Sequence, residues 1–252
     1  MERKSREARN EWGKLIPEDQ WLIYNLAIRI ARDCGMEFML GGAFGLAGYT
    51  GRWRNTKDLD FFVLPESKDR LIDGLLEAGF EDYYDRLPYD RGWIYRAIKS
   101  DVLVDVIWAT PNRRTLVDSL WFPNATPIEL RGESLHLVPM EEILWVKMYV
   151  LQKDRCDWPD LLNLLYAQIE TVNWDHLYRR LGADLPLLAG LLQIFAWMCP
   201  TRSKLIPESI RNELGILDTT ARAGIDQQER VNLLDSRPWF AALQPGDRAM
   251  QL

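Results

Sequence analysis

The pattern of the chain changes once, near Pro139, and that change restricts its possible folds more than any other feature. Before it, apolar runs of strand length alternate with stretches of helical spacing; after it, every segment carries helical spacing. The first part predicts a helix over 17–34, a short strand over 37–40 and a turn at Gly41-Gly42 into a short helix. A strand over 59–64, a helix over 67–78 ended by Gly79, and strands over 93–98 and 102–108 joined at Lys99-Ser100-Asp101 follow. The second part predicts helices over 140–153, 159–169, 174–181, 185–198 and 207–214, then a last one over 227–234, with Pro238 and Pro245 breaking what comes after. An α/β part followed by a helical part is the expected architecture.

At about 150 residues per domain, 252 residues make one large domain or two small ones. Lys and Arg number 31 against 37 Asp and Glu, a net charge of −6 that disfavours a general nucleic-acid binder, so no DNA partner is expected, although a local basic face stays open. Cys34, Cys156 and Cys199 are odd in number and lie far apart, which removes a disulfide framework and a zinc ribbon. The charged N-terminus lacks a signal-peptide core, and no uncharged apolar run of about 18 residues occurs, so a cytoplasmic chain without a membrane partner is expected. With only His136 and His176 available, carboxylates are the remaining candidates for catalysis.

The most informative stretch for this chemistry is residues 40–63. Asp58 and Asp60 stand two apart at the start of a strand, so both face one side, where a shared divalent cation relieves their repulsion. Oxygen-only ligands favour Mg²⁺ or Mn²⁺ over zinc. Gly41-Gly42 precede a helix whose first amides face any anion in front of it, and Arg52 and Arg54 are either phosphate ligands or parts of a solvated loop. Asp105 interrupts the apolar run 102–108; it either meets a cation or lies on a solvated edge. Asp101 has the same strand parity but sits at a turn, where an aspartate is ordinary.

In this order the elements resemble the nucleotidyltransferase signature of the DNA polymerase beta superfamily: a Gly-Gly or Gly-Ser turn before a helix, an Asp-x-Asp on a strand, and a third Asp from a later strand. Gly51, Arg54, Thr56, Asp58 and Asp60 give the form most similar to the branch that holds small bacterial nucleotidyltransferases and abortive-infection toxins. Lys147 on a helix, then Lys153, Asp154, Arg155, Asp157, Asp160 and Leu161, fit that branch's later charged element. The resemblance spans roughly residues 38–165. Glycine replaces the serine that many superfamily members carry at the second loop position.

The resemblance implies an α+β fold: a nucleotidyltransferase-type mixed sheet flanked by helices over 1–138, then an all-helical part over 139–252 that selects substrate. It implies Asp58, Asp60 and Asp105 as catalytic and metal-holding residues for Mg²⁺ or Mn²⁺, with Asp105 serving a second ion or acting as general base. Gly41, Gly42, Arg54, Thr56 and Lys147 would contact the nucleotide. The implied reaction moves a nucleoside monophosphate from an NTP donor to a hydroxyl of a small molecule such as an aminoglycoside, a protein, or a tRNA.

The acidic balance favours a small or cationic acceptor over RNA, and Arg113-Arg114 and Arg179-Arg180 are too short for an RNA-binding stripe. Trp145, Trp174 and Trp197 read as core, and residues 83–96 as a surface hairpin ahead of a loop over the cleft. Two other roles stay compatible: a catalytically silent nucleotidyltransferase-like binding module, and one component of a toxin–antitoxin pair. The helical half also offers a surface for a homo-oligomer.

Overall fold

In the computed structural model, residues 11–218 and 227–234 are described; the segment holding Pro238 and Pro245 lies outside them. The described residues form two compact units, divided between Ile143 and Leu144.

The first unit is built on its most apolar strands, β2 (Asp58–Phe62) and β5 (Val102–Ile107), which pair in parallel at the centre of a mixed seven-stranded sheet. Leu59, Phe61, Val104 and Val106 have no exposed surface. The remaining strands are β1 (Met39–Leu40), β3 (Glu81–Asp82), β4 (Ile94–Lys99), β6 (Thr126–Leu130) and β7 (Glu133–Leu137). Their order is β3-β4-β5-β2-β1-β7-β6, with β1 antiparallel to β2 and parallel to β7, and the other pairs antiparallel.

Helix α1 (Glu18–Asp33) starts behind Pro17 and buries Trp21, Tyr24, Ala27, Ile28 and Ala31 along one stripe. It packs with α3 (Lys68–Glu77), while α2 (Gly42–Thr50) packs against β2. The expected strand and helix positions are found within a residue or two, as helix and strand ends generally are. The β6–β7 hairpin is an addition to that reading. Its strands alternate strictly, turning Ile128, Leu130, Leu135 and Leu137 inward, and Arg131-Gly132 close it with φ of 50° and 86°. Positive φ at both turn residues matches the twist of the flanking strands.

The helix expected over 140–153 stops early, as α4 (Met140–Met148), whose residues from Leu144 on belong to the second unit. Tyr149 and Val150 that follow are only half-buried and Leu151 is exposed, so no buried stripe continues it. A tight loop forms instead, with the Val150 amide on the Lys147 carbonyl, the Gln152 amide on the Arg155 carbonyl, and a bridge between Leu151 and Cys156. The Trp158 indole N–H takes up the Met148 carbonyl at 3.1 Å, satisfying one of the orphan acceptors of the helix end.

Helices α5 (Trp158–Gln168), α6 (Trp174–Leu181), α7 (Leu185–Met198), α8 (Pro200–Ser203), α9 (Glu208–Glu213) and α10 (Gln227–Leu234) complete the described part. Trp145 is buried, but Trp174 and Trp197 are only half-buried, so the core reading of those two is corrected. The span Trp174–Met198 reaches the length and mean hydropathy, 1.5, of a membrane-crossing segment. It is, however, two helices meeting at Gly182 (φ 52°), and α7 turns Leu188, Leu191, Leu192, Phe195 and Met198 into the unit's core.

Candidate active site

The register of β2 on β5 builds the site. Asp60 pairs with Asp105 and Asp58 with Leu103, while the β4–β5 hairpin pairs Asp105 with Arg96. Arg96, Asp105 and Asp60 therefore stand in one row across three adjacent strands, with Asp58 on the same face of β2 as Asp60. Both β2 aspartates are half-buried, and Leu59 between them is fully buried, as the period of two requires.

The entry to β2 is fixed from behind. The Asp58 amide donates to Thr56 Oγ1 at 3.2 Å, and the Tyr24 hydroxyl donates to the Thr56 carbonyl at 2.9 Å. Burial pushes the Tyr24 phenol well above its ordinary range, and the nearby charges of Asp58 and Asp60 push it further. Tyr24 thus stays a neutral donor beneath the carboxylates. Thr56 is a structural brace for this turn through both its hydroxyl and its carbonyl.

Gly41 and Gly42 are shaped by the same aspartate. The Gly41 amide donates to the Asp60 carbonyl at 3.0 Å, and its carbonyl accepts the Gly45 amide at 2.9 Å, closing the first turn of α2. Gly42 has φ +49°, and a Cβ there would lie 1.7 Å from Asp60 Oδ2. A Cβ on Gly41 would lie 2.3 Å from the Phe62 ring. The absence of serine at residue 42 now has a cause: the Asp60 carboxylate fills that space, at the positive end of α2.

Gly51, left-handed at φ +71°, ends α2 and starts the loop to β2. Trp53 anchors that loop, stacking on Trp12 (centroids 5.3 Å, planes 13° apart) and meeting Phe44 edge-on at 5.3 Å. Of the two arginines it carries, Arg54 is exposed; Arg52 is half-buried, and burial lowers the pKa of its guanidinium.

Asp105 is 2% exposed and is gripped by Arg96, whose Nε lies 3.0 and 3.2 Å from the two carboxylate oxygens and whose Nη2 lies 2.9 Å from Oδ2. Burial pushes its carboxyl up to about 6; Arg96 opposes that rise and Asp58 adds to it. Sequence reasoning missed Arg96. The signal for it is the Ser100-Asp101 turn, with φ of 49° and 59°, from which counting back along both strands sets Arg96 opposite Asp105. Tyr89, in the β3–β4 connection, accepts the Arg96 amide on its hydroxyl at 2.7 Å and was missed as well. That connection is a hairpin, as expected, and its residues are mostly exposed.

Asp58 and Asp60 fit a divalent cation: they are adjacent, half-buried, oxygen donors, and their joint field reaches Tyr24 and Arg96. Asp105 differs, because both its oxygens already meet a guanidinium. Among the described residues no three Asp, Glu, His or Cys side chains are gathered as a ready metal cluster.

Lys147 belongs to the second unit. Its ammonium bonds Asp157 Oδ2 at 2.7 Å and Asp160 Oδ2 at 2.9 Å, and Arg155 reaches Asp157 with Nε–Oδ1 at 3.1 Å. The charged element noted after α4 therefore closes on Lys147.

No family model and no curated sequence matches this chain. Solved structures do. A nucleotidyltransferase-like protein from Paracoccidioides brasiliensis matches over 76% of this chain and 95% of its own, with TM-score 0.50 and 18% identity. The lincosamide antibiotic adenylyltransferase LnuA matches over 59% of this chain and 96% of its own, at TM-score 0.42 and 16% identity. The antibiotic-resistance factor ANT(2'')-Ia matches over 81% and 97%, at TM-score 0.39 and 15% identity. At such identities the likeness is one of fold, and the fold is that of nucleotidyltransferases.

Proposed function

We propose that this chain, which has the nucleotidyltransferase fold, is a metal-dependent enzyme that transfers a nucleoside monophosphate from an NTP to a hydroxyl of an acceptor. The observation that carries this reading is the β2–β5 register, which sets Asp58, Asp60 and Asp105 together on one side of the sheet beside the start of α2. Asp58 and Asp60 would hold a Mg²⁺ or Mn²⁺ ion, which when bound supplies orientation and charge neutralisation for a triphosphate.

The rest of the work falls to the chain itself. The first amides of α2 and the exposed Arg54 are the donors for phosphate oxygens. The acceptor oxygen bonds to the α-phosphorus, the bond from that phosphorus to the β-phosphate bridge breaks, and pyrophosphate leaves with the electron pair. The hydroxyl proton passes to Asp105, whose carboxyl burial raises above the ordinary carboxylate range, the direction that suits a general base. Tyr24 and Thr56 hold β2 in position beneath this chemistry. A net charge of −6 favours a small or cationic acceptor over a polyanion such as tRNA, with a protein hydroxyl also open.

Calorimetric titration with ATP, GTP, CTP and UTP, each with and without Mg²⁺, tests the reading beside the Asp58→Ala/Asp60→Ala variant. Metal-dependent binding of at least one nucleotide, lost in the folded variant, is expected. A folded wild-type chain that binds none of the four would overturn the proposal in favour of a silent module.

A further inference from the structure

The arginine that grips Asp105 changes the cation inventory of the site. Asp105 has Arg96 beside it on β4 and Asp60 beside it on β2, so a positive side chain already flanks it on the side away from the β2 pair. The guanidinium meets both carboxylate oxygens through two nitrogens at 2.9–3.2 Å, the planar fork that suits a carboxylate best. Asp105 is 2% exposed, whereas the Arg96 side chain is 32% exposed. Withdrawing the arginine would leave a buried charge without its counter-ion, the costly way to break such a pair. The Tyr89 hydroxyl, accepting the Arg96 backbone N–H, anchors the arginine on its strand.

We propose that Arg96 takes the place of a second metal ion at Asp105, so that this chain binds a single divalent cation, on Asp58 and Asp60. The inference rests on the assignment of those two aspartates above. A guanidinium in that position supplies a fixed positive charge that needs no metal concentration to fill it. Its third nitrogen, Nη1, takes no part in the grip on Asp105, which leaves the arginine a donor for substrate oxygens. In this arrangement Asp105 keeps its role toward the acceptor proton and has none toward the metal.

The full chain is titrated with Mn²⁺ alone, and free Mn²⁺ is counted by electron paramagnetic resonance, a readout independent of turnover. The wild type is expected to saturate at one ion, and Asp105→Asn to do the same with an affinity changed by less than about tenfold, the lower end of the loss seen when a metal site is disturbed. Arg96→Met, checked for folding by circular dichroism, is expected to gain a second ion, and Arg96→Met/Asp105→Asn to lose it again. Two ions on the wild type with one lost in Asp105→Asn would overturn the proposal, as would a folded Arg96→Met that still binds one. If Arg96→Met does not fold, the Asp105→Asn comparison decides alone. Absence of any Mn²⁺ on the wild type would overturn the assignment of Asp58 and Asp60 together with this one, whereas two ions would overturn this one only.

Discussion

A methyl group on residue 42 would have to share space with an Asp60 oxygen, since an ideal Cβ there lies 1.7 Å from Oδ2. Gly51 offers the control, because it also has positive φ, +71°, but nothing lies within 4 Å of its Cβ position. Gly42→Ala should displace the Asp60 carboxylate and weaken Mn²⁺ binding at least about tenfold, with a further strain cost of about 1–3 kcal/mol. Gly51→Ala should cost about 1 kcal/mol in urea unfolding and leave Mn²⁺ affinity unchanged. Equal losses of metal affinity in the two variants would show that the Asp60 contact is not what glycine serves. At this scale the sequence exposes residues whose chemistry is unusual where they stand. Asp105 stands out as a charge in an apolar strand, and the Asp58-Asp60 pair by its spacing. Arg96 does not, since one basic residue in a half-buried strand is ordinary and its meaning comes from a partner nine residues on.

Elements carry those residues to their places, and the loop between α2 and β2 depends on one side chain to do so. Trp53 is 3% exposed, stacks on Trp12 and meets Phe44 edge-on, while its neighbours Arg54 and Asn55 are exposed. Trp53→Ala should therefore cost about 3–5 kcal/mol in urea unfolding, through lost burial and the cavity left behind. In the fraction that stays folded, nucleotide affinity measured by calorimetry should fall, because the arginines lose their tether. An unchanged affinity would remove this loop from the site. Strands β2, β4 and β5 were legible as short, largely apolar runs and helices α1, α3, α6 and α7 by their helical spacing. The β6–β7 hairpin was equally periodic, but its strands hold Pro127, Glu129, Ser134 and His136 on the outward face, which hides the alternation of few apolar residues. The end of α4 was not legible, since Tyr149-Val150-Leu151 continue the apolar pattern while the loop that replaces the helix closes through partners further along, Arg155, Cys156 and Trp158.

Across the whole molecule, the change of pattern near Pro139 made the α/β-then-helical order readable, and what it could not supply was the pairing between strands distant in sequence. Each unit holds a charge cluster, and the responses of the two to pH are opposite in sign. In the first unit, burial outweighs Arg96 and pushes the Asp105 carboxyl up to about 6 from its ordinary value of 3.8. Between those values the folded chain keeps a proton the unfolded chain has released, so this group's contribution to stability falls as pH rises across that window. In the second unit, burial alone would raise the Asp157 carboxyl, but Arg155 and Lys147 outweigh it and hold it below 3.8. Its contribution is present above 3.8 and is lost as pH falls through the folded value. Urea unfolding of Asp105→Asn and Asp157→Asn beside the wild type separates the two. As pH rises from about 4 to about 6.5, Asp105→Asn should gain on the wild type by on the order of 1–3 kcal/mol. Asp157→Asn should be less stable than the wild type at neutral pH by about 1–3 kcal/mol, a deficit that closes only in the acid range below the ordinary carboxylate value. If both variants follow the wild type in parallel across the whole range, neither cluster is what sets the acid response, and the exposed carboxylates behind the net charge of −6 must set it instead.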